Sequence, residues 1–265
     1  MENIYQLVAK TIAAGSSAAL CTIVRIEGST PREVGAKMLV FADGRTAGTV
    51  GGGEMEALVI DAAAQAIRHG TSQMIHYELR DTGAGDPGIC GGSADLFIDV
   101  IAPPPTLLIA GGGHVAMPVA EMGYMCGFHV VVVDDREEMV SQERFPHASE
   151  RIARDISEGL GAWPITSNTH IVIVTRGHAC DEDALRAVIA SPAAYIGMIG
   201  SRRKVQTILD HLRQDGVSQN LIDRVRSPIG LNIGSETPAE IAISILAEII
   251  MLNRGRDGQP MRNNL

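Results

Sequence analysis

A chain of 265 residues is long enough for two ordinary domains with apolar cores of their own. Hydrophobic residues make up 45% and charged residues 20%, and no apolar run reaches the roughly 18 residues of a helical membrane span, so no membrane partner is expected. The formal charge of −9 opposes a nonspecific grip on phosphate backbones, so no nucleic acid partner is expected either. The opening MENIYQLVAK has neither the basic flank nor the continuous apolar core of an export signal, which predicts a cytoplasmic protein.

Ile4, Leu7, Val8 and Ile12 recur at helical spacing ahead of Gly15 and predict an amphipathic opening helix. Ala18 to Ile26 reads as a buried strand. Lys37 to Phe41 and Thr46 to Val50 flank Ala42-Asp43-Gly44-Arg45, whose Asp-Gly pair signals a hairpin. Gly51, Gly52 and Gly53 lead into a predicted helix from Glu54 to His69, closed by Gly70. Strands follow at Gln73 to Leu79 and Ala94 to Ile101, joined by the glycine-rich RDTGAGDPGICGGS. Prolines 103 to 105 can continue neither strand nor helix and make a stiff spacer, dividing a domain over 1–102 from one over 106–265.

The second domain opens with TLLIAGGGHVA and returns as the β-branched run Val130 to Val133 followed by Asp134 and Asp135: strand, glycine turn, helix, strand. Gly111, Gly113 and Ala116 fit GxGxxA, in which the first glycine makes the tight turn and the second admits a pyrophosphate. The third small residue lets helix and strand pack closely. The aspartates, about 20 residues on, suit a ribose. Further strands are predicted at Glu150 to Ala153, His170 to Thr175 and Ala194 to Ile199, with helices at Glu182 to Ala190, Arg202 to Gln214 and Ala239 to Asn253. Alternation of helices with continuously apolar strands predicts a doubly covered parallel sheet, an α/β Rossmann-like fold. In the last helix Glu240, Ser244 and Glu248 form one polar stripe, which predicts burial nearly all round and a homodimer.

Five stretches carry candidate chemistry. Gly111, Gly112, Gly113 and His114 stand at a helix start, where backbone N–H groups and the helix dipole favour an anion. Gly51, Gly52 and Gly53 do the same for the earlier helix, although the acids Glu54 and Glu56 in its first turn would compete with a bound anion. Cys90, followed by Gly91 and Gly92, is the thiol expected to be accessible as a nucleophile or soft-metal contact. Of the other cysteines, Cys21 and Cys126 lie in apolar segments and are expected in the core; with no CxxC pair, neither a disulfide framework nor a zinc site is predicted. Arg176, His178, Cys180 and Asp181 follow a predicted central strand, at the end where parallel sheets bind ligands; Asp181 has a second reading as a helix N-cap. Ser201 and Arg202 open a helix in which clustered cations invite an anion.

Taken together, EGSTPREVGAKMLV, GTVGGGEMEALV, ICGGSADLFID, LLIAGGGHVA, VVVDDRE, THIVIVTRGH, AAYIGMIGSRRK and PIGLNIGSETPAEIAISILAEII resemble the xanthine dehydrogenase accessory factor family (XdhC/CoxI) along nearly the whole chain. The resemblance implies an N-terminal α/β domain of XdhC/CoxI type joined to a Rossmann domain. It also implies a chaperone that binds the molybdenum cofactor (molybdopterin) and supports its sulfuration and insertion into xanthine dehydrogenase or a related molybdenum hydroxylase. The implied partners are that hydroxylase and a cysteine desulfurase. Carried over by position, Gly51, Gly52, Gly53, Glu56, Cys90, Gly91 and Gly92 become candidates for the cofactor site, and Gly111, Gly113, Asp134 and Asp135 for the Rossmann site. Some relatives have cysteine after the first glycine run where this chain has Glu54, so Cys90 would act alone. Two readings compete with the chaperone: an NAD(P)-dependent oxidoreductase using GGGHVA, and a nucleotide-sensing scaffold.

Overall fold

A computed structural model describes residues 3–28, 30–78 and 92–264. The chain divides into two compact units, Met1–Pro103 and Pro104–Leu265.

The first unit contains helices α1 (Ile4–Ala13) and α2 (Gly53–His69) and strands β1 (Ala18–Glu27), β2 (Lys37–Phe41), β3 (Thr46–Gly48), β4 (Gln73–Glu78) and β5 (Ser93–Ile101). The strands form one antiparallel sheet in the order β3-β2-β1-β5-β4. Alternation decides its two faces. Ala94, Leu96 and Ile98 of β5 point inward with Cys21 and Ile23 of β1 against Met55, Val59, Ala63 and Ala66 of α2. Asp95, Phe97 and Asp99 occupy the alternate positions. A bulge between Ile23 and Arg25 inserts Val24, so that Arg25 lies level with Asp95. Asn3 caps α1 in a reciprocal capping box with Gln6.

The second unit is a six-stranded parallel sheet ordered β11-β10-β9-β6-β7-β8. Its strands are β6 (Thr106–Ala110), β7 (His129–Asp134), β8 (Glu150–Ala153), β9 (Thr169–Ile173), β10 (Tyr195–Met198) and β11 (Val225–Arg226). Its helices are α3 (Ala116–Met125), α4 (Ile156–Ala162), α5 (His178–Val188), α6 (Arg202–Gln214), α7 (Gln219–Asp223) and α8 (Pro238–Asn253). Counted within the unit, the strand order is 6-5-4-1-2-3, the doubly wound arrangement, and the direction of winding reverses between β6 and β9. One face packs on α4, α5 and α6, the other on α3 and α8. Both faces are therefore dry, as the unbroken apolar strands require.

Two expectations are corrected. Cys126, expected in the core, is exposed, because it caps the C-terminus of α3. Helix α8 is not buried nearly all round: Ser244 and Glu248 of its polar stripe face inward, Glu240 is exposed in the N-terminal capping box, and apolar residues face out. Ser244 donates to the Leu231 carbonyl, and Glu248 accepts from the Tyr195 hydroxyl and the Gly230 N–H. The outward apolar residues include Ile243, 50% exposed, Ile250, 41% exposed, and Leu252, 37% exposed.

Gly123 shows how closely α3 lies on the sheet, since a Cβ there would run into the Leu107 side chain. Gly123→Val is therefore expected to destabilise the second unit by about 1–3 kcal/mol through overpacking. A urea unfolding midpoint that falls at unchanged slope is the measurement that checks it.

Candidate functional site

The glycine turn between β6 and α3 lies at the switch point of the parallel sheet, and its three glycines have different causes. Gly111 has φ +105°, and a Cβ on it would come within 2.6 Å of the Val174 carbonyl at the end of β9. Gly112 lies directly under the Met139 carbonyl, which leaves no room for a side chain. Gly113 has nothing within 4 Å of the place a Cβ would take. The protein's own packing thus accounts for the first two glycines, and space for an approaching molecule remains over the third. No side chain caps the start of α3, and His114 beside it is exposed.

Asp134, only 2% exposed, holds this turn in place. Its Oδ2 accepts the Gly112 N–H at 2.8 Å, and the Arg136 guanidinium donates to both carboxylate oxygens at 2.9 and 3.1 Å. Burial pulls the Asp134 carboxyl up, but Arg136 and the Gly112 and Arg136 N–H groups outweigh it and hold the group below its ordinary value. The two aspartates expected to offer a ribose acceptor have different partners. Asp134 serves the turn, while Asp135 stands at the rim, where Arg176 Nη2 donates to it at 2.7 Å. Arg144, which the sequence pattern did not single out, donates to the Gly112 carbonyl at 2.9 Å while its buried Nε has no partner.

Beyond β9, Asp181 is fully buried and is not the N-cap of α5, a position taken by Gly177. Its carboxylate turns back to the strand end, accepting from the Thr175 N–H at 3.2 Å and the Thr175 hydroxyl at 2.5 Å, and pairs with Lys204 of α6. Of the three cations in the first turn of α6, Lys204 is thus compensated within the protein, while Arg202 and Arg203 are exposed. Ser201 is the N-cap of that helix, accepting from the Lys204 N–H, and Arg202 beside it is exposed. Arg176 lies in the loop before α5, and His178 is the first residue of that helix.

In the first unit, Gly51, Gly52 and Gly53 all have positive φ and lead into α2, whose N-cap Gly52 has no side chain to offer. Glu56, in the first turn of α2, reaches back onto the residues that lead into the helix. Its carboxylate accepts from the Thr49 hydroxyl and from the Val50 N–H at 3.2 Å. The Thr49 bond, with smaller help from the N–H groups of Val50, Gly51 and Gly52, keeps the Glu56 carboxyl below the ordinary range. The Glu56 carboxylate thus competes with any bound anion for the N–H groups of Val50, Gly51 and Gly52. Gly92 is half-buried just before β5; Cys90 and Gly91 lie outside the described residues. The fold therefore brings together Gly111, Gly112, Gly113, Asp134, Asp135 and Arg176 in the second unit, and Gly51, Gly52, Gly53 and Glu56 in the first. No group of three or more His, Cys, Asp or Glu side chains that could hold a metal ion occurs among the described residues.

Two outcomes follow for the glycine turn. Gly113→Val should unfold at the wild-type urea midpoint, because a side chain there meets nothing within 4 Å of its Cβ. Asp134→Asn should lower stability at neutral pH by about 1–3 kcal/mol. Because the native carboxyl is held below its unfolded value, that advantage is full above the unfolded pKa. It is lost as pH falls through the native one, so the wild-type and Asp134→Asn midpoints should converge in acid.

Comparison with known proteins gives concordant matches. The family model for the XdhC Rossmann domain matches residues 107–249, and that for the XdhC and CoxI family matches residues 11–78. The uncharacterized protein YqeB of Escherichia coli strain K12 is 38% identical over 258 residues, which cover 97% of this chain and 47% of that protein, so the chain spans about half the length of this relative. A probable xanthine dehydrogenase subunit of Bacillus subtilis strain 168 is 24% identical, covering 96% of this chain and 98% of the relative. The molybdenum cofactor insertion chaperone PaoD of Escherichia coli strain K12 is 23% identical, with 93% and 87% covered. The fold also matches the crystal structure of a xanthine dehydrogenase from Bacillus halodurans with a TM-score of 0.54 at 21% identity, over 100% of both chains. With its Rossmann domain matched from strand β6 into helix α8 and its N-terminal unit matched separately, the chain belongs to the XdhC family.

Proposed function

We propose that this protein is a maturation factor that binds the molybdenum cofactor, supports its sulfuration, and delivers it to a cytoplasmic molybdenum hydroxylase of the xanthine dehydrogenase type. The observation that carries this reading is membership of the XdhC family, within which a relative is named as a chaperone of molybdenum cofactor insertion. The chemistry of the second unit suits the phosphate-bearing end of such a cofactor. The space over Gly113, the uncapped start of α3, and the guanidinium of Arg176 at the rim favour an anion together. The same features suit NAD(P) or another nucleotide, which would make this turn a regulatory site in a chaperone. In the reading by resemblance, Cys90 is the thiol that receives or relays sulfur from a cysteine desulfurase. The outward apolar residues Ile243 and Ile250 of α8 support a homodimer.

Purification after coexpression with the cofactor pathway, followed by fluorescence of the oxidised pterin and metal analysis, tests the central reading. The expected outcome is pterin and molybdenum retained together. Cys90→Ala should retain the pterin while supporting sulfuration poorly. A wild-type protein that carries no pterin after such coexpression would overturn the reading.

A further inference from the structure

The open face of the first unit's sheet carries a concentration of polar groups that neither glycine turn explains. Strand register places Arg25 of β1 opposite Asp95 of β5, and Asp95 opposite His76 of β4. The adjoining row is Glu27, Ser93 and Glu78. Arg25, Glu27, His76, Ser93 and Asp95 line a cavity of about 250 Å³. Two pairs set its geometry: His76 Nδ1 lies 2.6 Å from Asp95 Oδ1, and Arg25 Nη2 donates to Glu27 Oε1 at 2.5 Å. The hydrogen bond that His76 makes to the Asp95 carboxylate lifts the His76 pKa above its ordinary value. One row further along the same face, Phe97 pairs with Met74, and these apolar side chains are 37% and 57% exposed.

We propose that this cavity binds the 2-amino-4-oxo edge of a pterin or guanine ring. The inference rests on the molybdenum-cofactor reading and assigns the heterocycle of that ligand to the first unit. Such an edge offers two adjacent N–H donors beside one carbonyl acceptor. The cavity offers the complement, with carboxylate acceptors on Asp95 and Glu27 and a guanidinium donor on Arg25. Phe97 supplies an aromatic surface next to that polar row for the face of the ring. The three carboxylates of Glu27, Glu78 and Asp95 outnumber the one guanidinium and one imidazole on these two rows, which disfavours a phosphate and favours a donor-rich edge.

The test is a fluorescence titration of the full chain with free pterin, with guanosine monophosphate as competitor, on wild type, Asp95→Asn and Glu27→Gln. Wild type should bind pterin. Asp95→Asn, which sets an amide N–H against the donors of the ring, should bind at least about tenfold more weakly at an unchanged urea midpoint, with Glu27→Gln weakened in the same direction. Competition by the nucleotide supports recognition of the shared edge, and its failure to compete supports a subsite restricted to pterin. Wild-type affinity in both variants, or no binding of free pterin, overturns the subsite. If copurified molybdenum cofactor is retained equally by wild type and both variants, the subsite falls and the cofactor reading stands. If wild type binds free pterin with the expected variant losses yet retains no cofactor on coexpression, the subsite stands and the cofactor reading falls.

Discussion

The second unit depends on one buried carboxylate at the place where the winding of its sheet reverses. Connections leave β6 and β9 toward opposite faces, opening a crevice that the polypeptide must line without collapsing into it. Asp134 ties the end of β7 to the Gly112 N–H, and Arg136 neutralises the charge so created. A buried charge lacking such a partner would be costly, so aspartate and arginine act as one unit. Arg144 braces the same turn through the Gly112 carbonyl, and Gly111 rests on the end of β9. Gly113 is left as the part of the turn that faces open space.

The principle repeats in both units: acids near helix starts serve the fold before they serve any ligand. Glu56 occupies the start of α2, and Asp181 joins Thr175 at the end of β9 to Lys204 on α6. Once these internal partners are assigned, the clearest candidates for external recognition are the space over Gly113 and the polar rows around Asp95.

Much of the architecture was legible because it is written in local pattern. Continuous runs such as Val130 to Val133 announce strands covered on both sides, and Thr237 with Glu240 announces the start of α8. Capping by Asp155 was an available signal for α4, but with only seven residues this helix gave too little periodicity to notice. The two-residue β11 is likewise defined by its neighbour rather than by its own sequence. Partner choice was not legible. Whether Asp134 points at a ribose or at its own turn, and whether Glu248 faces solvent or Tyr195, depends on residues far apart in the chain. The row of Arg25, Asp95 and His76 needed strand register and a bulge before it existed as a cluster at all.

The central claim is that this chain carries the molybdenum cofactor to an enzyme that uses it, and direct transfer measures that. Cofactor-loaded protein would be mixed with a purified, cofactor-free molybdenum hydroxylase of the xanthine dehydrogenase type, and the pterin on each protein followed after separation, together with recovered hydroxylase activity. The account predicts that pterin leaves this chain and appears on the hydroxylase in equal amount, with activity rising in step. Pterin that stays on the chain while the hydroxylase remains inactive would contradict it.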